Sequence, residues 1–579
     1  MSARLRPLPR RPEDASSDYV VEWVFEHAAR DPGPAGLDRS ALASPSARLS
    51  YGELATAIRR LAAHLQELGV GPGDRVVVAL PATPGTAVAS LAIQLLGAVS
   101  VEVARDAGPA ALATVLEKSR PTAIFVFGRD ARVFGPLLVK TPVEHVFVLH
   151  ETAPNDAMLS ALQQKSAWQL REDGGLPGVT GDALAPAAIA PVAKRDIDAP
   201  ALILFTSGST GTPCGVVLTH KNLSANARQI VAYLELHQRD RAMLVLPLSY
   251  SYGRSILHTH LLCGGSVFLD NRFMYPRVVM DAINEEKCTN FAGVPMTYEL
   301  LRRQVDVSSM SFPTLRQVTQ AGGALTPEAR AWVRASFKSA TFFVMYGATE
   351  ATARLSYVPP ARTVDEDGAI GVPIPGVKLR VVDDTGQDLP AGEVGNLIAH
   401  GDNISPGYLD DPERTASTFK DGWLWTGDLA KKDDDGFFFV VGRAKEILKI
   451  GGHRVSPREI EEAVLRHPAV LEGIVCGVAD AVTGDAAVAV VAFHEGMRID
   501  EAELKRFCKE SLPPYKVPKL MRVLPALPRN ENGKIRRADI AADVRAALAG
   551  LSAGSRAGST AGSTAGSTAG SSKSPTREE

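Results

Sequence analysis

The sequence has no Cys-x-x-Cys pair, no excess of either charge and no long uninterrupted apolar run, and each lack removes a class of function. Its five cysteines (Cys214, Cys263, Cys288, Cys476 and Cys508) are odd in number and scattered over 579 residues. They supply neither a disulfide framework nor a metal-ligand cluster, and a reducing, cytoplasmic setting is expected. The formal net charge is −2, so no basic surplus points to nucleic acid. The longest uncharged stretch, residues 76–101, is interrupted by Pro81, Pro84, Gly85 and Gly97. A membrane span needs about 20 uninterrupted apolar residues, so none is predicted. The first 14 residues hold four arginines and three prolines around no apolar centre. They do not make a secretory signal, and residues 1–18 are expected to be a disordered leader.

What is present is the composition of a soluble globular protein, with 45% apolar and 22% charged residues and length for several domains. Helical and strand patterns alternate. Ser50-Tyr-Gly-Glu53 reads as a capping box, and Leu54, Ile58, Leu61, Leu65 and Leu68 follow at helical spacing up to Gly69. Strand 76–80, helix 86–96 and helix 222–234 continue the alternation, which predicts an α/β fold with a mostly parallel, doubly wound sheet. From about 371 to 441 short strands (378–382, 394–399, 437–441) alternate with Gly/Pro/Asp turns, an all-β pattern expected to form a small barrel. After Arg443 a compact α+β pattern begins, with Ser456-Pro-Arg-Glu459 as a second capping box. Residues 553–572 are five near-copies of a four-residue Ala-Gly-Ser-x unit without a large apolar side chain. That composition predicts a disordered tail over 549–579.

The chemistry centres on Thr206-Ser207-Gly208-Ser209-Thr210-Gly211-Thr212-Pro213-Cys214-Gly215, which lies between apolar runs at 201–205 and 216–218. Glycines let a backbone approach a ligand and turn its N–H groups toward it, and hydroxyls add hydrogen bonds, so a polyphosphate suits such a loop. The Gly-Lys-Ser/Thr ending of the common nucleotide loop is missing. On spacing alone, a nucleotide loop and a plain Ser/Gly surface loop stay open. Tyr346-Gly347-Ala348-Thr349-Glu350 follows an apolar strand at 342–345: the ring can lie against a base, the hydroxyl can meet a phosphate and Glu350 can hold Mg²⁺. Gln320-Ala-Gly322-Gly323-Ala324 offers backbone open to close approach. Asp428, in Gly422-Trp-Leu-Trp-Thr-Gly-Asp428, can accept from two ribose hydroxyls or cap its turn.

In type and order these motifs closely resemble those of the adenylate-forming superfamily: acyl-CoA synthetases, adenylation domains of peptide synthetases and beetle luciferases. The resemblance runs from about Tyr51 to Arg537. Gly322, Gly323 and Ala324 are similar to its adenine-binding backbone, Tyr346 to Glu350 to its Tyr-Gly-x-Thr-Glu signature, and Asp428 to its ribose aspartate. Residues 442–452 resemble its hinge motif, with Lys445 at the hinge position, and 528–534 resemble the segment carrying its adenylation lysine, here Lys534. The resemblance implies domains at 19–442 (adenylation), 443–449 (hinge) and 450–548 (small mobile C-terminal domain). It implies ATP-dependent activation of a carboxylic acid, expected to be fatty or related, to an acyl-adenylate, followed by transfer to coenzyme A. Loading of an acyl carrier protein, or a catalytically weak regulatory homologue, are the alternatives. Lys534 would bridge carboxylate and α-phosphate, Glu350 with Thr349 would support Mg²⁺ and phosphate, Arg443 would join Asp428 at the ribose, and Lys449 would serve the second step.

Departures from the family's pattern carry their own expectations. Cys214 stands where the loop lysine is usual, which implies impaired phosphate handling, and Cys214→Lys is expected to speed ATP–pyrophosphate exchange. A nucleophilic role for the Cys214 thiol is not expected, since no base partner is suggested. In the segment resembling the acyl-pocket motif, Tyr250 replaces a common histidine, Gly253 follows, and Arg254 either pairs with a second acidic group on the substrate or faces solvent. Met345, where aromatic-acid ligases often have glycine, argues against a wide flat pocket. No aspartate lies near Ser249 to Ser255, which disfavours amino-acid substrates.

Overall fold

The structure is a computed structural model that describes residues 17–30, 40–105, 107–138, 141, 143–149, 166–175, 196–207, 213–362, 368–480, 482–529 and 535–547. The leader and tail expected at the two ends thus lie almost wholly outside the described residues. The chain divides into two compact units: the first runs to Lys445, and the second spans Glu446–Pro528 and resumes at Ile535.

Two large sheets build the first unit. In one, six strands run parallel: Arg75–Ala79, Val99–Glu102, Ala123–Phe127, His145–Leu149, Ser166–Leu170 and Pro200–Ser207. Their near-continuous apolar runs are what a sheet buried on both faces requires. Pro213–Thr219 turns back antiparallel on Pro200–Ser207, and Gly407–Tyr408 pairs outside it. The long uncharged stretch of the sequence becomes strand, turn and the helix Pro84–Leu95, whose every residue is buried. Its apolar character on all sides is thus explained by the protein core. Among the described residues no helix is long and apolar enough to cross a membrane.

The second sheet has a parallel core of Arg241–Leu244, Ser266–Leu269, Asn290–Gly293, Gln317–Gln320 and Thr341–Tyr346, with helices Ser251–Cys263, Pro276–Glu285, Pro295–Gln304 and Pro327–Ser336 between them. Beyond Thr341–Tyr346 the ladder becomes antiparallel and continues through Ser356–Tyr357, Ala369–Pro373, Phe438–Arg443, Trp423–Lys432 and Gly395–His400 to Lys378–Val382. The all-β region therefore exists. Among the described residues its strands form an open continuation of the large sheet rather than a separate closed barrel. One buried apolar cluster holds residues from both sheets, including Val76, Leu202, Leu244 and Leu397.

The Ser50 capping box forms as read, with Ser50 accepting from the Glu53 backbone and Glu53 from the Ser50 backbone. A further box, Thr219 with Asn222, starts the helix His220–Leu234. In the second unit, Pro457–Leu465 and Glu501–Lys509 pack on a sheet of Leu448–Ile450, His453–Val455, Val470–Asp480, Gly484–Phe493 and Leu520–Val523. There the expected Ser456 box is not made: Ser456 precedes the helix but its side chain makes no capping bond. Glu459 is drawn instead to Lys516 Nζ, 2.5 Å away.

Candidate active site

Arg241–Leu244 lies between Ser266–Leu269 on one side and Asn290–Gly293 on the other. The chain thus winds outward in both directions from it, and a crevice opens at the carboxyl ends of the strands where the direction reverses. The loops that leave those ends are the ones the sequence singled out: 245–250, 321–324 and 347–350. The strand Pro200–Ser207 likewise delivers Thr206 and Ser207 at its carboxyl end, paired with Cys214 and Pro213. Gly208, Ser209, Thr210 and Gly211 lie outside the described residues.

Three of the nucleotide candidates meet in space. Tyr346 Oη donates to Asp428 Oδ2 at 2.5 Å, and Arg443 Nε reaches Asp428 Oδ1 at 2.7 Å. Asp428 and Arg443 are direct cross-strand partners, so sheet register sets this contact. Asp428 is held further by the Thr426 hydroxyl, which accepts from its backbone N–H. Burial first, and then the adjacent Asp428 carboxylate, push the Tyr346 phenol well above its ordinary pKa, so it stays a neutral donor. The carboxylate keeps its accepting capacity for hydroxyls of a ribose.

Gly322, Gly323 and Ala324 follow Gln317–Gln320, whose Gln320 Nε2 donates to Gly323 O at 2.6 Å. Gly322 sits at φ +87°, and a Cβ there would fall 2.4 Å from Tyr250 Oη. Glycine is thus required on both conformational and steric grounds. Tyr250 lies beside this backbone, and burial pushes its phenol up to about 12.

Past Gly347, Thr349 and Glu350 begin a 3-10 turn. Thr349 Oγ1 lies 3.5 Å from Ser251 Oγ. Glu350 Oε1 accepts from Tyr408 Oη at 2.8 Å, and its carbonyl accepts from Ser405 N at 2.8 Å. Tyr408 in turn pairs with Val216 on the strand leaving the Gly-rich loop. A single segment, 405–408, therefore ties the loop's outgoing strand to Glu350. Tyr408 is a contact the sequence reading missed; only its position before Asp410-Asp411 near a Gly marked it. Among the described residues no group of three His, Cys, Asp or Glu side chains could hold a metal by itself. A lone carboxylate among hydroxyls fits Mg²⁺, which keeps several waters and takes ligands from substrate phosphates.

Cys214 is 1% exposed and turns into the apolar core on the same strand face as Val216 and Leu218. Burial raises its pKa, with Arg414, Asp411, Lys118 and Glu350 all within electrostatic reach. A protonated, enclosed thiol has no nucleophilic role. Positive charge reaches the position from Lys118, whose Nζ donates to Pro213 O at 3.2 Å, and from Arg414.

Beside Tyr252 lies a cavity lined largely by apolar side chains, among them Ile230, Leu234, Ile256 and Met345, together with Arg354. Measured by the centres of water-sized spheres it holds about 30 Å³, room for two or three waters. Met345 lines it, and Tyr233 Oη donates to its sulfur at 2.9 Å. Of the expected pocket residues, Tyr250, Gly253 and Arg254 do not line it. A Cβ at Gly253 would lie 2.3 Å from Pro247 O, so this glycine allows helix and loop to meet. Arg254 corrects both of its expected placements, because it meets neither substrate nor solvent. Its side chain is 2% exposed, its Nη2 lies 2.6 Å from the equally buried Glu102, and it donates to Leu248 O and Ser90 Oγ. The reason is helical phase: 252, 255, 256 and 259 face the cavity, which turns 254 and 258 the other way. Arg354 was not singled out from the sequence. It is the only Lys, Arg, Asp or Glu between Glu350 and Arg362, and that isolation was the available signal.

Lys445 falls within the short turn Ala444–Glu446 at the boundary of the two units. Lys449 is exposed on a two-stranded hairpin whose turn is Gly451-Gly452, and its N–H donates to Asp485 at 2.7 Å. Lys534 lies outside the described residues. The segment after it is fixed within the second unit by a bidentate pair of Arg537 on the buried Glu461, at 2.5 and 2.6 Å.

Comparison with known proteins agrees with this geometry along most of the chain. The family described as AMP-binding enzyme matches residues 26–409, and the AMP-binding enzyme C-terminal domain matches 459–534. A sulfoacetate–CoA ligase of Cupriavidus necator is 34% identical over 531 residues, covering 91% of this chain and 98% of that protein. An indoleacetate–CoA ligase of Aromatoleum aromaticum is 30% identical over 524 residues, covering 90% and 97%. Among solved structures, ATP-bound MatB from Rhodopseudomonas palustris matches with a TM-score of 0.79 and 26% identity, over 91% of this chain and 99% of that one. Such enzymes use ATP, Mg²⁺ and coenzyme A, and the chain belongs to the AMP-binding, adenylate-forming superfamily as an AMP-forming acid–CoA ligase.

Proposed function

We propose that this chain activates a small carboxylic acid to an acyl-adenylate and passes it to coenzyme A in the cytoplasm. The relatives named above and their kin are described as acting on acids as different as sulfoacetate, ferulate, indoleacetate and long-chain fatty acids, so the pocket itself must decide. The observation that carries the reading is the small cavity lined by Met345 and Arg354. Its room for only a few waters suits a short acid better than the fatty acid expected from the sequence, and in a largely apolar lining Arg354 is its one Lys, Arg, Asp or Glu. Five free thiols support a reducing compartment.

In this reading Asp428 with Arg443 and Tyr346 holds the ribose, the backbone of 322–324 meets the adenine, and Thr206 to Gly211 meet the departing phosphates. Glu350, steadied by Tyr408, holds Mg²⁺, which neutralises charge on the phosphates when bound. Lys534 draws the acid's carboxylate to the α-phosphate. The thioester step follows rotation about Lys445 and uses Lys449. Purified protein given Mg-ATP, coenzyme A and acids of graded length should form thioesters fastest with chains of a few carbons. Accumulation of acyl-AMP without a coenzyme A thioester would point to a carrier-protein acceptor, and a preference for long-chain acids would defeat the small-acid reading.

A further inference from the structure

We propose that Arg354 recognises a second negative charge on the acid, so that the substrate is a short carboxylic acid bearing another anionic group at its far end. This deepens, and rests on, the small-acid reading above. Arg354 is 2% exposed and ranks among the largest fully buried side chains of the protein. Arg354 lines the cavity, its Nε has no hydrogen-bond partner, and among the described residues no carboxylate lies within ion-pair distance of it. Burying a cation without a counter-charge is strongly unfavourable, and an anion that arrives beside it offsets that cost.

The contrast with Arg254 sharpens this. Both arginines are 2% exposed and lie in the same unit. Arg254 meets Glu102 on the protein's own chain, so its charge is already answered. Arg354 meets only neutral groups: its guanidinium stacks 4.8 Å over the Tyr252 ring and hydrogen-bonds the Tyr233 hydroxyl. Stacking on an aromatic face offsets part of the burial penalty and leaves the planar fork open at Nε. That fork suits a carboxylate or a sulfonate.

The backbone holds Arg354 in place. Thr352, between Glu350 and Arg354, sits at φ +64° and ψ −62°, a conformation β-branched residues rarely adopt. Its hydroxyl donates to Asn403 O at 2.8 Å. Asn403 and Asn226 both donate to the Arg354 carbonyl, at 3.0 and 3.2 Å. A strained turn held by three hydrogen bonds thus sets the arginine four residues after Glu350. Acid recognition and phosphate handling come from one short segment.

The test compares acids matched in length: succinate against butyrate, malonate against propionate, and 3-sulfopropionate against butyrate, scored by pyrophosphate release and by coenzyme A thioester formed. The wild-type enzyme should favour the doubly charged member of each pair by at least tenfold in kcat/KM. The carboxylate and sulfonate arms show which head group fits. Arg354→Met should lower kcat/KM for the doubly charged acids about 100-fold, mostly through KM, and leave or improve turnover of the neutral-tailed ones. Arg354→Lys should restore part of the preference. Equal loss on both members of a pair would assign Arg354 a structural role and overturn the proposal. A wild-type preference for neutral-tailed short acids would overturn it while leaving the small-acid ligase intact; thioester formation only with long-chain acids would remove that reading as well. Should Arg354→Met fail to fold, the wild-type ratio and the lysine variant still decide.

Discussion

Replacing Glu102 with Gln should destabilise the protein by about 3–5 kcal/mol, the range found when one member of a buried ion pair is removed. Burial of both partners is what places the variant in that range. Glu102 ends a strand of one large sheet, whereas Arg254 sits on a helix of the other, and each side chain is 2% exposed. Without the carboxylate, Arg254 keeps only neutral acceptors, Leu248 O at 3.0 Å, Ser90 Oγ at 3.1 Å and the amide oxygen of the new side chain, for a full charge shut off from water. The Ser100 hydroxyl, which donates to Glu102 Oε1 at 2.9 Å, gains an amide in place of a charged acceptor and weakens too. Removing the charge from both sides with Glu102→Gln and Arg254→Met should recover most of the loss, because a buried pair is often replaceable by apolar groups at little net change. Urea unfolding followed by circular dichroism measures both variants, and the acid-preference panel should be unchanged in the double variant because Arg254 faces away from the cavity. A loss under about 1 kcal/mol in Glu102→Gln, or a double variant no more stable than the single one, would refute the reasoning.

Cys214→Lys, which the sequence suggested would restore phosphate handling, should instead destabilise the protein by about 1–3 kcal/mol through overpacking and a buried charge, and should not speed ATP–pyrophosphate exchange; faster exchange at undiminished stability would show that the lysine escapes the core. The other four thiols should resist modification: burial pushes Cys263 and Cys288 up to about 12 and Cys476 and Cys508 up to about 11. Native protein should therefore react slowly with a thiol reagent at pH 8 and expose all five cysteines on unfolding. The unfolded thiols ionise near 8.5 and the folded ones later, so the stability from keeping them neutral is intact below that pH and should fall as pH rises toward 11 and 12. Rapid labelling of several thiols in the native state would contradict this.

Much of the site was readable because its parts are local. Tyr346 to Glu350 is a strand end followed by a turn; Asp428, read in a glycine turn, lies instead on the strand Trp423–Lys432, and Arg443 ends Phe438–Arg443, just past the strand read at 437–441. Their meeting is not local: it needs the register that sets Asp428 opposite Arg443, and no spacing in the sequence encodes it. The helices read at 222–234 and 86–96 were found within a few residues, while the Ser456 box failed because Glu459 had a distant competitor in Lys516. The pocket was the least legible part. Helix Ser251–Cys263 is buried almost throughout, so apolar pattern gives no phase, and Gly253 and Arg254 were assigned to the wrong side of it. Charge isolation would have served better than pattern. Glu102 is the only charged residue between Arg75 and Arg105, Arg254 between Arg241 and Asp270, and Arg354 between Glu350 and Arg362. A lone charge inside an apolar run that folds must be answered somewhere. Glu102 and Arg254 answer each other, whereas Arg354 meets only neutral groups among the described residues.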